Sequence, residues 1–407
     1  MMCFLRWLLR ASSCQVWLGL ALALAPPSVA SAAPNQTWVG TWGCGVQLTE
    51  PSNLPPTPLA NATLRQCVRV SLGGKRMRVT FSNLYGTNPV VVRAAHVALA
   101  RGVPGSSAID PATDRSLTFS GAASVAIPAG MAVVSDPLEF DLPPLTTLAV
   151  TLYLGEISSH TITGHPGSRT TTFIQPGDVI AAASLPAAAR TPHWYLLENI
   201  DVSAAPFSRA LVVLGDSITD GRGSTTDGND RWPDVLAMRL LTNALTAGVA
   251  VLNMGIGGNG IFGGLGPSAQ SRFGRDVLER SGARWLILFE GVNDLGRGVT
   301  AQALTNAYAK FIARAHARNL RVYGATITPF GGNHYFTPEH EATRAAVNRW
   351  IRTSRAFDAV VDFDATVRDP AAPTRLTSPY DTGDGLHLNP AGYAAMARSI
   401  DLNLFNY

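Results

Sequence analysis

Ser217, Asp384 and His387 have the residue types that acyl-transfer chemistry needs, and their placement in the chain suggests how they would be used. A serine hydroxyl is a weak nucleophile near neutral pH, so it requires a base within hydrogen-bond reach and a partner that holds the base in one tautomer. Asp384 and His387 stand three residues apart in Asp384-Gly385-Leu386-His387. A tight turn there lets the carboxylate take the Nδ1 proton and leaves Nε2 free to face Ser217. Attack on an ester carbonyl also needs donors aimed at the developing oxyanion. The backbone N–H of Ser217, the backbone N–H of Gly258 and the side-chain amide of Asn293 are the expected donors. Glycine suits position 258, because a side chain would obstruct the approach of a carbonyl to the main chain.

These groups must be carried by elements that end at one place. Leu211-Val212-Val213-Leu214 is an apolar, β-branched run that stops at Gly215-Asp216-Ser217, the pattern of a buried strand delivering a serine to a sheet edge. Further buried-strand runs are expected at Ala210 to Leu214, Val249 to Asn253, Trp285 to Phe289, Val322 to Ile327 and Ala359 to Val361. Helices are expected at Pro233 to Leu241, Thr300 to Arg318, Pro338 to Ser354 and Pro390 to Leu404. Thr337-Pro338 and Asn389-Pro390 each supply an N-cap followed by proline. Alternation of this kind predicts a mainly parallel sheet with helices on both faces, whose ligands bind beyond the carboxyl ends of the strands. The second and third strands run into Asn253-Met254-Gly255-Ile256-Gly257-Gly258-Asn259 and Glu290-Gly291-Val292-Asn293-Asp294, so three ends should converge on one cleft.

Each of these motifs alone is a common turn or cap; their order carries the reading. Gly-Asp-Ser-Ile at Ser217, the glycine-rich turn at Gly258, Gly-Val-Asn-Asp at Asn293 and Asp-x-x-His at Asp384 and His387 resemble, in sequence order, the four blocks of the SGNH (GDSL-type) hydrolases. The resemblance spans residues 209 to 405. It implies a flavodoxin-like three-layer α/β/α fold and metal-independent ester hydrolysis through an acyl-serine intermediate, with no cofactor. Ile218 stands where the family has leucine, a volume-conserving change. Asp220 to Thr225, Arg231 to Pro233 and Gly263 to Ser268 resemble a secreted branch with a β-rich N-terminal domain, whose members are regarded as arylesterases or esterases of plant polysaccharides.

The remaining chain frames this centre. The first 32 residues read as a signal peptide: Arg6 and Arg10, an apolar run from Val16 to Ala25, and Ala30-Ser31-Ala32, which would leave Ala33 as the mature N-terminus in a secreted or periplasmic protein. That run is shorter than the about 20 residues a membrane helix needs, and no stable membrane insertion is expected. Residues 33–205 read as an all-β sandwich of jelly-roll type, with a hairpin across Gly73-Gly74 between Val68 to Leu72 and Met77 to Phe81. Residues 206–407 form the catalytic domain. Lys and Arg total 32 against 28 Asp and Glu, a net charge of +4 that offers no argument for nucleic acid.

Cys44 and Cys67, the cysteines outside the leader, are candidates for a disulfide, the alternative being two separate buried thiols. No histidine shows metal-ligand spacing, and those other than His387 are read as structural or surface groups, with His193 and Trp194, at the end of the first domain, as candidates to reach the cleft. Asp216 is expected to fix the serine turn, and Asp294 to brace Asn293 or to sit in solvent. Trp232, Phe262 and Leu265 are candidates to line the acyl or sugar pocket. Trp38, Trp42 and Tyr85 would be the platforms if the N-terminal domain bound carbohydrate itself. The expected activity is ester hydrolysis, with acetyl groups on carbohydrate or aryl alcohols as substrate. A lipase-like esterase on longer chains and an acyltransferase are the alternatives.

Overall fold

The computed structural model describes residues 37–158 and 160–406; the expected signal peptide lies outside them. The C-terminal part is built on a five-stranded sheet in the order Val249–Gly255, Arg209–Gly215, Ala283–Phe289, Arg321–Ala325, Ala359–Val361, every pair parallel. The sequence order of these strands is 2-1-3-4-5, so chain direction across the sheet reverses at Arg209–Gly215. A ligand crevice is expected beyond the carboxyl end of that strand. Ala210 to Leu214 are fully buried, as expected of a strand covered on both faces.

The helices follow their caps. Trp232–Thr242 begins with Pro233 in its first turn, Ala301–His316 is capped by the Thr300 hydroxyl, and Pro338–Thr353 by that of Thr337. Asn389 caps Pro390–Ser399, which ends earlier than the sequence suggests; a separate 3-10 turn, Leu402–Phe405, follows under its own Asp401 cap.

The N-terminal part is β-rich. One antiparallel sheet runs Thr37–Gly43, Leu197–Ala204, Gly74–Ser82, Ala132–Val134, with Leu138–Leu142 also on Gly74–Ser82. A seven-stranded sheet is centred on Ala62–Arg69, Thr147–Leu154 and Val90–Leu99, and a small one joins Gln47–Leu48, Thr163–His165 and Trp194–Tyr195. The expected hairpin across Gly73-Gly74 is not formed. Ala62–Arg69 pairs with Thr147–Leu154 and Thr172–Pro176, whereas Gly74–Ser82 belongs to the other sheet. The alternation holds, with Met77, Val79 and Phe81 all fully buried, but the pairing differs. Val70 to Gly73 cross between sheets, held by Val70 N–H on Thr146 O and Ser71 N–H on Thr41 O, both at 3.0 Å.

The β-rich part and the parallel sheet share one buried core. Ser71 Oγ accepts the Val251 N–H at 3.0 Å, and a Cβ at Gly40 would come within 2.8 Å of Leu252 Cδ1. Cys44 and Cys67 do not form the expected disulfide; both are free and buried. Cys44 Sγ donates to Leu197 O at 3.4 Å in the main core, while Cys67 belongs to a separate cluster with Ala98, Ile109 and Ala149. Trp42 is buried edge-on against Trp194, and Arg78 lies over the Trp38 ring at 4.6 Å. Tyr85 packs against the core and its hydroxyl accepts from Arg275. These rings are not presented as a flat platform.

Candidate active site

Gly215 ends Arg209–Gly215, the second strand across the sheet, in a crowded place. A Cβ there would meet Thr219 Oγ1 at 2.1 Å and Phe289 O at 2.8 Å. Asp216 then caps the one-turn helix Ser217–Asp220, its Oδ1 accepting the Ile218 N–H at 2.9 Å, and Gly221 closes the turn at φ +103°. This is the turn-fixing role expected of Asp216. Ser217 sits at the first helical position, and its own N–H has no acceptor among the described residues.

His387 comes from the opposite side of the cleft. Asp384 Oδ1 accepts the N–H groups of Leu386 (3.0 Å) and His387 (2.8 Å), folding the turn on its own side chain. Its Oδ2 lies 2.6 Å from His387 Nδ1, and His387 Nε2 lies 2.8 Å from Ser217 Oγ. A carboxylate only accepts, so Nδ1 carries the proton and Nε2 accepts from the serine hydroxyl. Burial pushes the Asp384 carboxyl up, but hydrogen bonds from the side chain and backbone of His387 outweigh it and bring it to about 2. Burial holds the His387 imidazole below its usual value, against the opposing pull of Asp384. At neutral pH the ring is therefore a free base facing a serine proton.

The glycine-rich segment is not a loose loop. Asn259 Nδ2 donates to Leu265 O and Pro267 O at 2.7 and 2.9 Å, and the Asp294 carboxylate accepts the N–H groups of Ile261 and Phe262 at 2.8 and 3.2 Å. Asp294, buried, braces this loop rather than Asn293. Gly258 has φ +71°, a conformation suited to glycine, and its N–H has no acceptor among the described residues. Asn293 Nδ2 donates one hydrogen to Asn259 O at 2.7 Å, and Tyr335 OH donates to Asn293 Oδ1 at 3.0 Å. These two bonds fix the amide orientation and leave the second Nδ2 hydrogen unassigned.

Beneath the site, the fully buried Arg272 joins the three strand ends. Its guanidinium donates to Gly215 O (3.0 Å), Met254 O (2.5 Å), Asn259 Oδ1 (3.0 Å) and Glu290 Oε1 (3.2 Å). Burial pushes the Asp216 carboxyl up to about 7 and Glu290 well above the carboxylate range, each opposed by Arg272 and reinforced by the other acids.

Ser217, Gly258, Asn293, Asp384 and His387 all line one open cleft of about 580 Å³. Of the predicted pocket residues, Leu265 is on its wall and exposed, whereas Phe262 is exposed elsewhere. Trp232 is a correction. It is fully buried, its ring 5.3 Å from that of Phe363, because it opens a helix whose first turn faces the core.

Of the residues that the β-rich part contributes, sequence reasoning reached His193, which lines the cleft, and missed the others. His165, read as structural, reaches under the serine helix: Nε2 lies 2.9 Å from Asp220 Oδ1 and Nδ1 lies 2.9 Å from Gly45 O. Asp220 Oδ2 accepts the Gly257 N–H at 3.0 Å. His165 thus acts on the residue next to Gly258. His165 stands opposite Trp194 in the small sheet, their rings stacked at 5.7 Å. No local spacing links His165 to Asp220, 55 residues away. Tyr335, Arg169, Arg222 and His193 also line the cleft. Among the described residues no cluster of three or more His, Cys, Asp or Glu side chains is arranged to hold a metal ion.

Residues 213–395 match the model of the GDSL-like lipase/acylhydrolase family. No curated protein matches the chain. Similar solved structures include an acetyl xylan esterase variant from Geobacillus stearothermophilus, 19% identical, covering 48% of this chain and 93% of its own, TM-score 0.39. A carbohydrate acetylesterase family member from Sinorhizobium meliloti is 16% identical, covering 48% and 97%, TM-score 0.39. A lipolytic G-D-S-L family protein from Veillonella parvula is 19% identical, covering 47% and 96%, TM-score 0.36. Residues 213–395 of this chain belong to the GDSL-like lipase/acylhydrolase family, and the protein is a carboxylic ester hydrolase.

Proposed function

We propose that the protein is an exported serine esterase that removes short acyl groups, acetyl foremost, from carbohydrate or aryl alcohols. The observation that carries the catalytic reading is the relay Asp384–His387–Ser217, with links of 2.6 and 2.8 Å, at a cleft that also holds Gly258 and Asn293. His387 takes the Ser217 proton as Oγ attacks the ester carbonyl. The N–H groups of Ser217 and Gly258 and the second Nδ2 hydrogen of Asn293 receive the oxyanion. The alcohol leaves with the proton from His387, and water, deprotonated by the same imidazole, releases the acid.

The lining supports a polar alcohol. Gln47, Asn53, Asn293 and Asn333 present amides to the cleft, while Leu265 and Leu386 are the leucines among the described residues that line it. A long acyl chain needs a continuous apolar trough; sugar hydroxyls need donors and acceptors of this kind. The same reading divides the chain into a leader of residues 1–32, a β-sandwich at 33–205 and a catalytic α/β/α domain at 206–407. Export rests on Arg6, Arg10 and the apolar run before Ala30-Ser31-Ala32.

Hydrolysis of p-nitrophenyl acetate, butyrate, octanoate and palmitate, with Ser217→Ala as the blank, tests the proposal. Activity greatest on acetate and absent from Ser217→Ala is expected. Activity rising toward palmitate would overturn the acyl preference, and undiminished activity in Ser217→Ala would overturn the mechanism.

A further inference from the structure

The charges that line the cleft are Glu50, Arg169, Asp220, Arg222 and Asp384, with the imidazoles of His193, His334 and His387. The three acids are already engaged. Asp220 holds His165 and the Gly257 N–H, Asp384 holds His387, and Glu50 accepts from the amides of Gln47 and Asn53. The guanidiniums of Arg169 and Arg222 have no hydrogen-bond acceptor or ion-pair partner among the described residues. This sets them apart from the buried arginines of the molecule: Arg272 is paired with Asp276 and Glu290, Arg280 with Glu198, and Arg344 with Glu341 and Asp364.

Arg169 is half-buried, and its Nε is enclosed without an acceptor. Its backbone sits at φ +50°, a left-handed conformation that non-glycine residues keep only where the surroundings impose it, often at functional sites. Here its carbonyl is held by the Asp227 N–H at 2.8 Å, and the Asp227 carboxylate is in turn bound by the N–H and hydroxyl of Thr171. Asp227 is thereby occupied with backbone and hydroxyl donors. Arg222 follows the serine helix directly and is exposed. Both side chains line the same cleft as Ser217 and His387.

We propose that this cleft binds esters whose non-reacting part carries a carboxylate, of the uronic acid kind, and that Arg169 and Arg222 hold that carboxylate. A guanidinium matches a carboxylate with two parallel hydrogen bonds. The amides of Gln47, Asn53 and Asn333 each make bonds within the protein but keep a further hydrogen or lone pair for hydroxyl groups of the same ring. The subsite rests on the serine-esterase reading given above and specifies its substrate class.

The test compares two pairs of acetates that differ only in charge: 3-acetoxybenzoate with its methyl ester, and an acetylated methyl glucuronoside with its uronate methyl ester. Wild-type enzyme should show kcat/KM about tenfold or more higher on each acid, expressed in KM and shrinking as salt screens the attraction. In Arg169→Gln/Arg222→Gln the acid-to-ester ratio should fall to about one or lower, and Arg169→Lys/Arg222→Lys should restore part of it. Ratios at or below one in the wild type, or a ratio unchanged in the double glutamine variant, would overturn the subsite. The wild-type ratio and its salt dependence decide the matter even if the double variant does not fold. Ser217-dependent cleavage of the methyl esters without preference for the acids would refute this inference alone. Failure to cleave any of the four would refute the esterase reading with it.

Discussion

His165→Ala should damage stability and catalysis together, although the residue lies outside the serine relay. His165 is 3% exposed and the Asp220 side chain 4% exposed, and Nε2 to Oδ1 is 2.9 Å. Removing the imidazole leaves the Asp220 carboxylate in the same buried site with the Gly257 N–H as its one remaining donor among the described residues. Losing one partner of a buried pair costs about 3–5 kcal/mol, because the other group stays desolvated and uncompensated. The lost ring also stacks on Trp194, so the upper part of that range is expected. The catalytic effect comes through Gly257: a loosened Asp220 no longer fixes the segment that presents the Gly258 N–H. A misplaced oxyanion donor costs about 10²-fold in kcat. Urea unfolding should show the stability loss, and p-nitrophenyl acetate kinetics should show it in kcat with KM little changed. Asp220→Asn should be coupled to His165→Ala in a double-mutant cycle rather than additive with it. A His165→Ala enzyme within about 1 kcal/mol of the wild type and with unaltered kcat would show that the His165–Asp220 pair supports neither the fold nor the oxyanion donor.

Tyr335→Phe removes the donor to Asn293 Oδ1 at 3.0 Å; kcat on p-nitrophenyl acetate should fall about 3- to 10-fold, the worth of one neutral hydrogen bond, while KM holds. The pH profile of kcat/KM should have an acid limb below the usual imidazole value, because burial lowers His387 and protonation removes the base. In Asp384→Asn that limb should move further down, since the group that raises His387 is gone, and kcat should drop steeply. Asp384 itself is held at about 2; its depressed carboxyl contributes stability at pH above the unfolded value, and that contribution is lost as pH falls toward 2. Acid titration followed by near-UV dichroism should therefore show Asp384→Asn to be less acid-sensitive than the wild type. Thiol titration of the chain from Ala33 in guanidinium without reductant should find both Cys44 and Cys67 reactive, and neither before unfolding, since both are buried and free. One disulfide per chain would contradict the packing described above.

The catalytic half was legible because its signals are local. Buried-strand runs ending in Gly-Asp-Ser, Gly-Gly-Asn and Val-Asn-Asp place three groups at three strand ends, and the parallel order then brings them together. Asp384 and His387 are legible for the same reason, being partners within one turn. What could not be read depends on pairings distant in sequence. Nothing near His165 announces Asp220, and nothing near Arg272 announces that it would join Gly215, Met254 and Glu290. The glycine-rich segment from Gly255 to Gly266 reads as flexible, yet Asp294 and Asn259 pin it through backbone bonds that only the folded chain supplies. The Gly73-Gly74 turn fails as a hairpin for a related reason. Alternation fixes which face of a strand is buried, whereas the choice of neighbour is made by the whole sheet. Trp232 shows the limit of reading a loop aromatic as a pocket wall, since one turn of helix is enough to turn it into the core.

Labelling with a fluorophosphonate, followed by peptide mapping, asks whether Ser217 is the activated nucleophile. An activated serine in the relay should take one label per chain, on Ser217, with loss of esterase activity in proportion to labelling, and His387→Gln should label far more slowly. A label on another residue, or full activity in a chain labelled at Ser217, would rule out Ser217 as the nucleophile.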